Sequence, residues 1–145
     1  MKITAGLATI VCSLWLATAV LPQELTQDEK KELASLQQAW LDGRCPVLPA
    51  NAWLFYRSGN EADRCKADSL LNRFIALQNT DSASTVFGQW PWSQGAEIGD
   101  LNVALFRSHD MLRILWDQQD NMSATTRTRY LLSCRRLLEA AKRRW

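Results

Sequence analysis

The chain has 145 residues and a net charge of +2, and 47% of its residues are hydrophobic against 22% that are charged. This balance excludes an intrinsically disordered chain and is typical of one globular domain. Seven tryptophans are present, so a few large side chains are expected to supply much of the buried surface.

The N-terminal residues have the composition of a targeting segment. Lys2 is followed by an uncharged apolar run, and residues 17–19 (Ala-Thr-Ala) have the small-x-small pattern that precedes a signal peptidase cleavage site. We therefore predict that residues 1–19 form a signal peptide and that residues 20–145 form a single exported domain, periplasmic or secreted. The alternative is an uncleaved inner-membrane anchor, because residues 3–21 are an uncharged stretch close to the length that spans a bilayer.

Export to an oxidising compartment favours a disulfide. Cleavage after residue 19 leaves Cys45, Cys65 and Cys134. We predict that Cys45 pairs with its near neighbour Cys65 and that Cys134 stays free, as a buried and unreactive thiol on the last helix. Pairing of Cys134 with one of the other two, or with another chain, remains open.

A first helix is predicted to begin after Thr26. Thr26 and Glu29 have the spacing of a capping box, in which the hydroxyl and the carboxylate satisfy exposed backbone amides. Gly43 is predicted as the C-terminal cap, and Pro46 prevents continuation. The expected apolar stripe consists of Leu33, Leu36 and Trp40.

Two further helices are expected before the middle of the chain. A short one is predicted to start at Asn51, to carry the aromatic run of residues 53–56 and to end at Gly59. The next one is predicted to start at Asn60 as its N-cap. Its expected apolar stripe consists of Leu70, Phe74 and Leu77, widened by Ala67 and Leu71.

Residues 79–100 predict a long irregular loop. They show no helical period and are punctuated by Ser, Thr, Gly and Pro, with a strand conceivable only at residues 84–87. A loop of this length usually has a function or local structure of its own.

Two helices are predicted in the C-terminal part, one over residues 101–118 after Asp100 and one from Ser123 to the end. The inward-facing residues of the first are predicted to be Leu101, Leu105, Leu112 and Trp116. Those of the second are predicted to be Leu131, Cys134, Leu138, Ala141 and Trp145. The predicted fold class is all-α, a small helical bundle of four to five helices with one long irregular loop.

The sequence offers few residues for metal or nucleophilic chemistry. His109 is the single histidine, and neither a Cys-x-x-Cys pair nor a G-x-S-x-G motif is present. We interpret His109 as a surface or half-buried helix residue. No cofactor and no metal are expected, and no nucleic-acid partner is expected for an exported chain.

The tryptophan-rich loop is the place where catalysis is most conceivable. Trp90 and Trp92 could stack on sugar rings beside Glu97, which is then the weak candidate for acid–base work on a glycan. The alternative is that the tryptophans anchor the loop onto the core.

The last helix is strongly basic. Residues 123–145 hold seven basic residues and one acidic residue, a net charge of +6. Arg129, Arg136 and Arg143 are seven residues apart and fall on one line of a helix. We predict that this row contacts an envelope protein or an anionic membrane surface. The alternative is a solvated face that is partly paired inside the molecule.

Three short segments resemble QseG-type helical lipoproteins of the Gram-negative envelope. They are residues 51–56 (Asn-Ala-Trp-Leu-Phe-Tyr), 65–68 (Cys-Lys-Ala-Asp) and 88–90 (Gly-Gln-Trp). This resemblance implies an outer-membrane adaptor that modulates a sensor kinase. The chain departs from that family's pattern in having no lipidation cysteine and no long coiled coil.

These observations favour an exported, non-catalytic binding or adaptor protein of the bacterial envelope. One alternative is a small glycan-acting envelope enzyme that uses Glu97. Another is a membrane-anchored component of a secretion, conjugation or phage-lysis apparatus, if the N-terminal segment is retained.

Overall fold

The computed structural model describes residues 24–100 and 102–143, and the predicted signal peptide, Leu101 and Trp145 lie outside these residues. Within them the chain forms α-helices, one short 3₁₀ turn at Gln119–Asn121 and no strand, so the predicted all-α class is confirmed. The helices are α1 (Gln27–Leu41), α2 (Pro49–Arg57), α3 (Glu61–Ala76), α4 (Val103–Asp117) and α5 (Ala124–Lys142). Residues 84–87 form bends and turns, and not the strand considered for them.

The helix ends follow from local sequence. Thr26 and Glu29 form the predicted capping box, with the Glu29 amide donating to Thr26 Oγ1 over 3.1 Å. Asn60 and Ser123 cap α3 and α5 as predicted. Gly43 follows α1 with a φ of +68°, a backbone conformation that glycine adopts without strain.

The start of α2 differs from the prediction. Pro49 occupies its first turn and Leu48 is the N-cap residue, so Asn51 lies inside the helix. Proline is favoured at this position because its fixed φ suits a helix and its missing N–H would have no partner there. The Asn51 side chain donates instead to the Pro46 carbonyl over 3.0 Å and closes the turn that leads into α2.

Helix α2 is the centre of the molecule. All residues from 51 to 56 are buried, and α2 packs against α1, α3 and α4. A helix that is enclosed on every side needs apolar residues on every side. The Trp40 ring of α1 meets the Phe55 ring edge-on, with ring centroids 6.2 Å apart. Leu33 and Leu36 of the predicted α1 stripe are buried as well.

Helix α3 presents its predicted stripe to this centre, with Leu77 half-buried just after its end. The buried apolar residues of α3 are Ala67, Leu70, Leu71, Phe74 and Ile75.

The predicted inward face of α4 is wrong. Leu105, Leu112 and Trp116 are exposed by 69%, 65% and 89%, respectively. The helix starts at Val103 and buries a different face, formed by Val103, Ala104, Met111 and Ile114. The reason is that α4 carries apolar residues on two faces, and α2 together with Tyr130 of α5 covers only one of them. Tyr130 donates its hydroxyl to the Met111 carbonyl over 3.0 Å.

The predicted buried seam of α5 is also wrong. Leu131, Leu138 and Ala141 are exposed, and Cys134 is half-buried. The buried side chains of α5 are instead Thr126, Tyr130, Ser133 and Ala140. Small and polar residues face inward because α5 approaches α3 closely through polar contacts. One of these contacts is the 2.8 Å hydrogen bond that Asn72 donates to the Thr126 hydroxyl.

The long irregular loop, residues 79–100, is confirmed and has two parts. Residues 87–90 are buried and dock onto α5. Gly88 has a φ of +74°, and a Cβ atom there would lie 2.7 Å from the Arg136 carbonyl oxygen, so the close approach requires glycine. The Gln78 side chain donates to the carbonyls of Gly88 and Ser133, each over 3.1 Å, and ties the loop to α5. Most residues from 91 to 100 are exposed.

The predicted disulfide between Cys45 and Cys65 is not formed. Cys45 is buried close to Arg73, near the C-terminal end of α3, whereas Cys65 is exposed near the start of that helix. The helical rise from position 65 to position 73 is about 12 Å, whereas the Cα atoms of bridged cysteines lie within about 7 Å. Cys134 is free as predicted, and burial raises the pKa of its thiol to about 11.

None of the helices in the described part of the chain is both long enough and apolar enough to cross a membrane.

Candidate functional site

A cleft of about 480 Å³ opens where three separate segments meet. Its walls are formed by residues 43–48 after α1, the last turn of α3 and residues 90–94 of the long loop, with Arg107 of α4 added at one side. We call this space the loop cleft.

The inner side of the loop cleft is apolar and rigid. The rings of Phe74 and Trp90 are stacked, with centroids 5.0 Å apart and planes 10° from parallel. The indole Nε1 of Trp90 donates to the Phe74 carbonyl over 3.1 Å, which fixes the loop to the end of α3. Trp90 therefore anchors the loop to the core, and Leu77 completes this side of the cleft.

Among the described residues, three arginines line the loop cleft and no Asp or Glu does. Arg44 is paired with Asp42. Arg73 has no salt bridge to any described residue, and Arg107 has only a long hydrogen bond of 3.5 Å to the Trp92 carbonyl. An excess of positive charge around a partly apolar space attracts anions and repels cations.

Cys45 is the only thiol that lines the loop cleft. Burial raises the pKa of this thiol, and the nearby positive charge of Arg73 offsets only part of the effect. A nucleophilic cysteine needs a lowered pKa and access to solvent. Cys45 therefore acts as a small apolar wall residue and not as a nucleophile.

The structure brings only part of the predicted glycan constellation together. Trp90 and Trp92 both line the loop cleft, whereas Glu97 is exposed outside it. Trp92 is half-exposed and packs on Phe106 of α4, with ring centroids 5.9 Å apart. The catalytic role of Glu97 stays a prediction that no contact in the described residues supports.

The predicted arginine row of α5 lies beside α3 and the long loop. Arg129 donates a hydrogen bond to the Asn72 side chain of α3. Arg143 donates to the Ser82 carbonyl over 2.8 Å, and its guanidinium lies 4.3 Å from the centroid of the Phe87 ring. Arg136 is half-buried on the same side of α5. Two of the three side chains thus make contacts within the molecule, and their role toward a partner stays a prediction.

An exposed apolar surface on α4 was not expected from the sequence. Leu105, Leu112 and Trp116 fall within about 40° of one another around the axis of an ideal helix. Phe106 and the half-exposed Trp92 lie beside each other at one end. We call the surface formed by these five residues the α4 face. The signal in the sequence was the excess of apolar residues over what one buried stripe requires.

His109 lies in the middle of this region and is exposed. Its Nδ1 is 3.6 Å from a carboxylate oxygen of Asp110. The interpretation of His109 as a surface residue of the helix is therefore confirmed. Among the described residues, no group of three or more His, Cys, Asp or Glu side chains is placed to hold a metal ion.

The chain matches no protein-family model, no curated protein and no solved structure.

Proposed function

We propose that this protein is an exported, non-catalytic helical adaptor of the bacterial envelope, and that it binds a partner protein through the α4 face. The observation that supports this most is the exposure of Leu105, Leu112 and Trp116 along one line of a well-formed helix. Contiguous exposed apolar side chains are uncommon on monomeric soluble proteins and mark interaction sites.

The energy available from burying the α4 face is comparable to that of a micromolar protein complex. Burying one large apolar side chain contributes about 1.5–3 kcal/mol. Four or five such side chains therefore contribute about 6–15 kcal/mol, a range that includes the roughly 8 kcal/mol of a micromolar complex before the entropy of association is subtracted. Trp116 is the expected centre of the contact, because tryptophan is enriched among the residues that dominate binding energies.

The charges around the α4 face favour a protein partner over an anionic membrane. Arg113 and Asp117 are both exposed on this helix, and the exposed Asp120 follows it. A helix that lies on anionic lipid usually has a strongly basic polar face. The near-neutral surroundings of the α4 face fit an apolar surface on another protein.

The arginine row of α5 becomes the second proposed contact. The intramolecular contacts of Arg129 and Arg143 reduce the charge that these residues offer to a partner, since a guanidinium already held by a carbonyl or an amide has fewer free donors. Leu105, Leu112 and Trp116 of the α4 face are largely exposed to solvent instead. The first test therefore concerns the α4 face.

The test is photo-crosslinking in the envelope, with a photoreactive phenylalanine analogue placed at position 112 or 116. The matched control places it at position 64, which is exposed on α3 away from the α4 face. We expect one defined crosslinked partner from positions 112 and 116 and none from position 64. The partner is then purified and its affinity measured for the wild type and for a Leu112→Ser/Trp116→Ser variant. We expect at least a tenfold loss, as is typical of removing a central aromatic contact.

Three results would contradict this proposal. The first is crosslinking only to a second copy of the same chain, which would make the α4 face a homodimer interface. The second is unchanged affinity in a double variant whose circular dichroism is unaltered. The third is the absence of crosslinks at positions 112 and 116 under conditions in which the protein is abundant in the envelope.

The proposed location has its own test. Intact mass spectrometry of protein from the periplasmic fraction should give a chain that begins at Val20. A chain that keeps residues 1–19 would instead support the anchored alternative.

A further inference from the structure

We propose that the loop cleft binds an amphiphilic anion, a phosphate or carboxylate group attached to an apolar chain or ring. This inference rests on the cleft alone and does not depend on the α4 face. The relevant observation is that a space of about 480 Å³ combines an apolar inner side with three surrounding guanidinium groups. That volume lies within the range of about 300–1,000 Å³ that is usual for small-molecule sites.

The anionic group is assigned to Arg73 and Arg107. Neither has a salt bridge to a described residue, and the cleft walls contribute no carboxylate. The planar guanidinium binds phosphate and carboxylate oxygens through two parallel hydrogen bonds. Arg44 is paired with Asp42, so Arg73 and Arg107 supply the unpaired positive charge that attracts an anion to the cleft.

The apolar part of the ligand is assigned to the inner side of the cleft. Val47, Leu48 and Leu77 are half-buried and line the cleft, whose lining also includes the buried, stacked pair of Phe74 and Trp90. A rigid apolar wall of this kind binds a chain or ring without first having to be ordered. An inorganic anion would leave this surface exposed to water, which is why the assigned ligand is amphiphilic.

Arg73 and Arg107 differ from ordinary surface arginines because neither has a salt bridge to a described residue. Surface arginines commonly pair with carboxylates beside them, as Arg44 does with Asp42. Arg73 comes from α3 and Arg107 from α4, and both line the loop cleft. Gln94 and Ser93 add neutral hydrogen-bonding groups on the loop side.

The experiment is isothermal titration calorimetry with octyl phosphate, at concentrations at which this ligand does not form micelles. The comparison ligands are inorganic phosphate, which lacks the chain, and octyl glucoside, which lacks the charge. We expect octyl phosphate to bind more tightly than either comparison ligand. An Arg73→Gln/Arg107→Gln variant should bind octyl phosphate about 100-fold more weakly, since each charge-assisted hydrogen bond is worth roughly a factor of ten.

A matched control variant removes the same amount of charge elsewhere. Arg64→Gln/Arg135→Gln changes two exposed arginines outside the cleft. Its affinity should stay within about twofold of the wild type, because exposed charges at a distance are screened. A Ser93→Trp variant fills the cleft without changing its charge, and we expect it to abolish binding while the circular dichroism stays the same.

Two further arms identify the source of the anion. Octanoate replaces octyl phosphate to compare carboxylate with phosphate. Vesicles of phosphatidylcholine with and without phosphatidylglycerol are sedimented with wild type and with the Arg73→Gln/Arg107→Gln variant. Cosedimentation that requires both phosphatidylglycerol and the two arginines identifies a lipid headgroup in a bilayer, whereas binding of monomers alone identifies a free amphiphile.

Several results would overturn the inference. They are no binding of octyl phosphate by the wild type, equal losses in the two double variants, or an affinity for octyl glucoside or inorganic phosphate equal to that for octyl phosphate. Unchanged binding by a folded Ser93→Trp variant would place the ligand outside the cleft and would also overturn it.

Discussion

Helices α2 and α4 carry similar apolar side chains but differ in how many of them are buried. Residues 51–56 of α2 are all buried, whereas α4 buries one apolar face and leaves another in solvent. The difference lies in the neighbours, because α1, α3 and α4 surround α2. Among the described residues, none covers Leu105, Leu112 and Trp116. The composition of a helix therefore indicates how much apolar surface it can bury. The packing of its neighbours decides how much of that surface is buried.

The largest effect is expected at the centre of α2. Phe55 is fully buried, with the Trp40 ring against its edge. Phe55→Ala should lower the free energy of unfolding by about 3–5 kcal/mol, because it removes buried surface and leaves a cavity. Urea denaturation followed by circular dichroism measures this change. A loss below 1 kcal/mol would mean that α2 is not the centre of the core.

The next largest effect is expected at Gly88, where the backbone of the long loop packs closely against α5. Gly88→Ala should cost about 2–4 kcal/mol, since it adds strain at a positive φ and a clash with the Arg136 carbonyl. Gly95→Ala is the matched control, because Gly95 also has a positive φ but nothing within 4 Å of its Cβ position. Thermal unfolding of both variants should separate the clash from the strain. Equal losses would show that the contact with α5 contributes nothing.

A smaller effect concerns the polar contact between α1 and α3. Asp63 of α3 accepts hydrogen bonds from Gln37 of α1 over 2.8 Å and from Lys66 over 2.6 Å. Burial raises the pKa of Asp63, but these hydrogen bonds and the positive charge of Lys66 outweigh it and leave the pKa below its ordinary value. Asp63→Asn should lower the free energy of unfolding at pH 7 by about 1–3 kcal/mol.

The pH dependence of this variant has a definite sign. A carboxylate with a lowered pKa in the folded state contributes stability that is present above its ordinary pKa of 3.8. That contribution is lost as the pH falls through the lower value of the folded state. The difference between wild type and Asp63→Asn should therefore shrink below pH 3.8. Glu61→Gln, an exposed carboxylate in the same turn, should show no such convergence.

The smallest effect is expected on the α4 face and tests the comparison directly. Leu112→Ala should change the free energy of unfolding by less than about 0.5 kcal/mol, because its side chain already lies in solvent. The adjacent Met111 is buried, and Met111→Ala should cost about 2–5 kcal/mol. Denaturation curves of the two variants give the result. Similar losses at both positions would show that the α4 face is covered in the isolated protein.

The ends of the helices could be predicted from the sequence because they depend on neighbouring residues. Thr26, Asn60 and Ser123 cap helices through side-chain bonds to amides two or three positions along the chain. The long loop was also predictable, since proline and glycine interrupt any helical period there. Asn51 was assigned wrongly because Pro49, two residues earlier, suits the first turn of a helix better.

The buried faces of α4 and α5 could not be predicted because they depend on distant segments. On α5 the buried residues include Thr126 and Ser133, which a search for apolar periodicity passes over. Thr126 faces inward because Asn72 of α3 donates a hydrogen bond to its hydroxyl, and at Ser133 it is the backbone carbonyl that accepts a hydrogen bond from Gln78. The loop cleft could not be predicted for the same reason, since Arg44, Arg73 and Arg107 line one cleft only once the chain is folded.

The docking of the long loop onto α5 makes the two a single cooperative unit. The Gln78 side chain reaches the Ser133 carbonyl across 55 positions of sequence, so this contact exists only when the start of the loop and the last helix are both in place. The Gly88 amide donates to the Asn79 carbonyl over 2.8 Å inside this unit. Hydrogen exchange of the Gly88 amide should therefore report the opening of α5. As denaturant is added, the protection of this amide should fall together with the protection of the amides of α5.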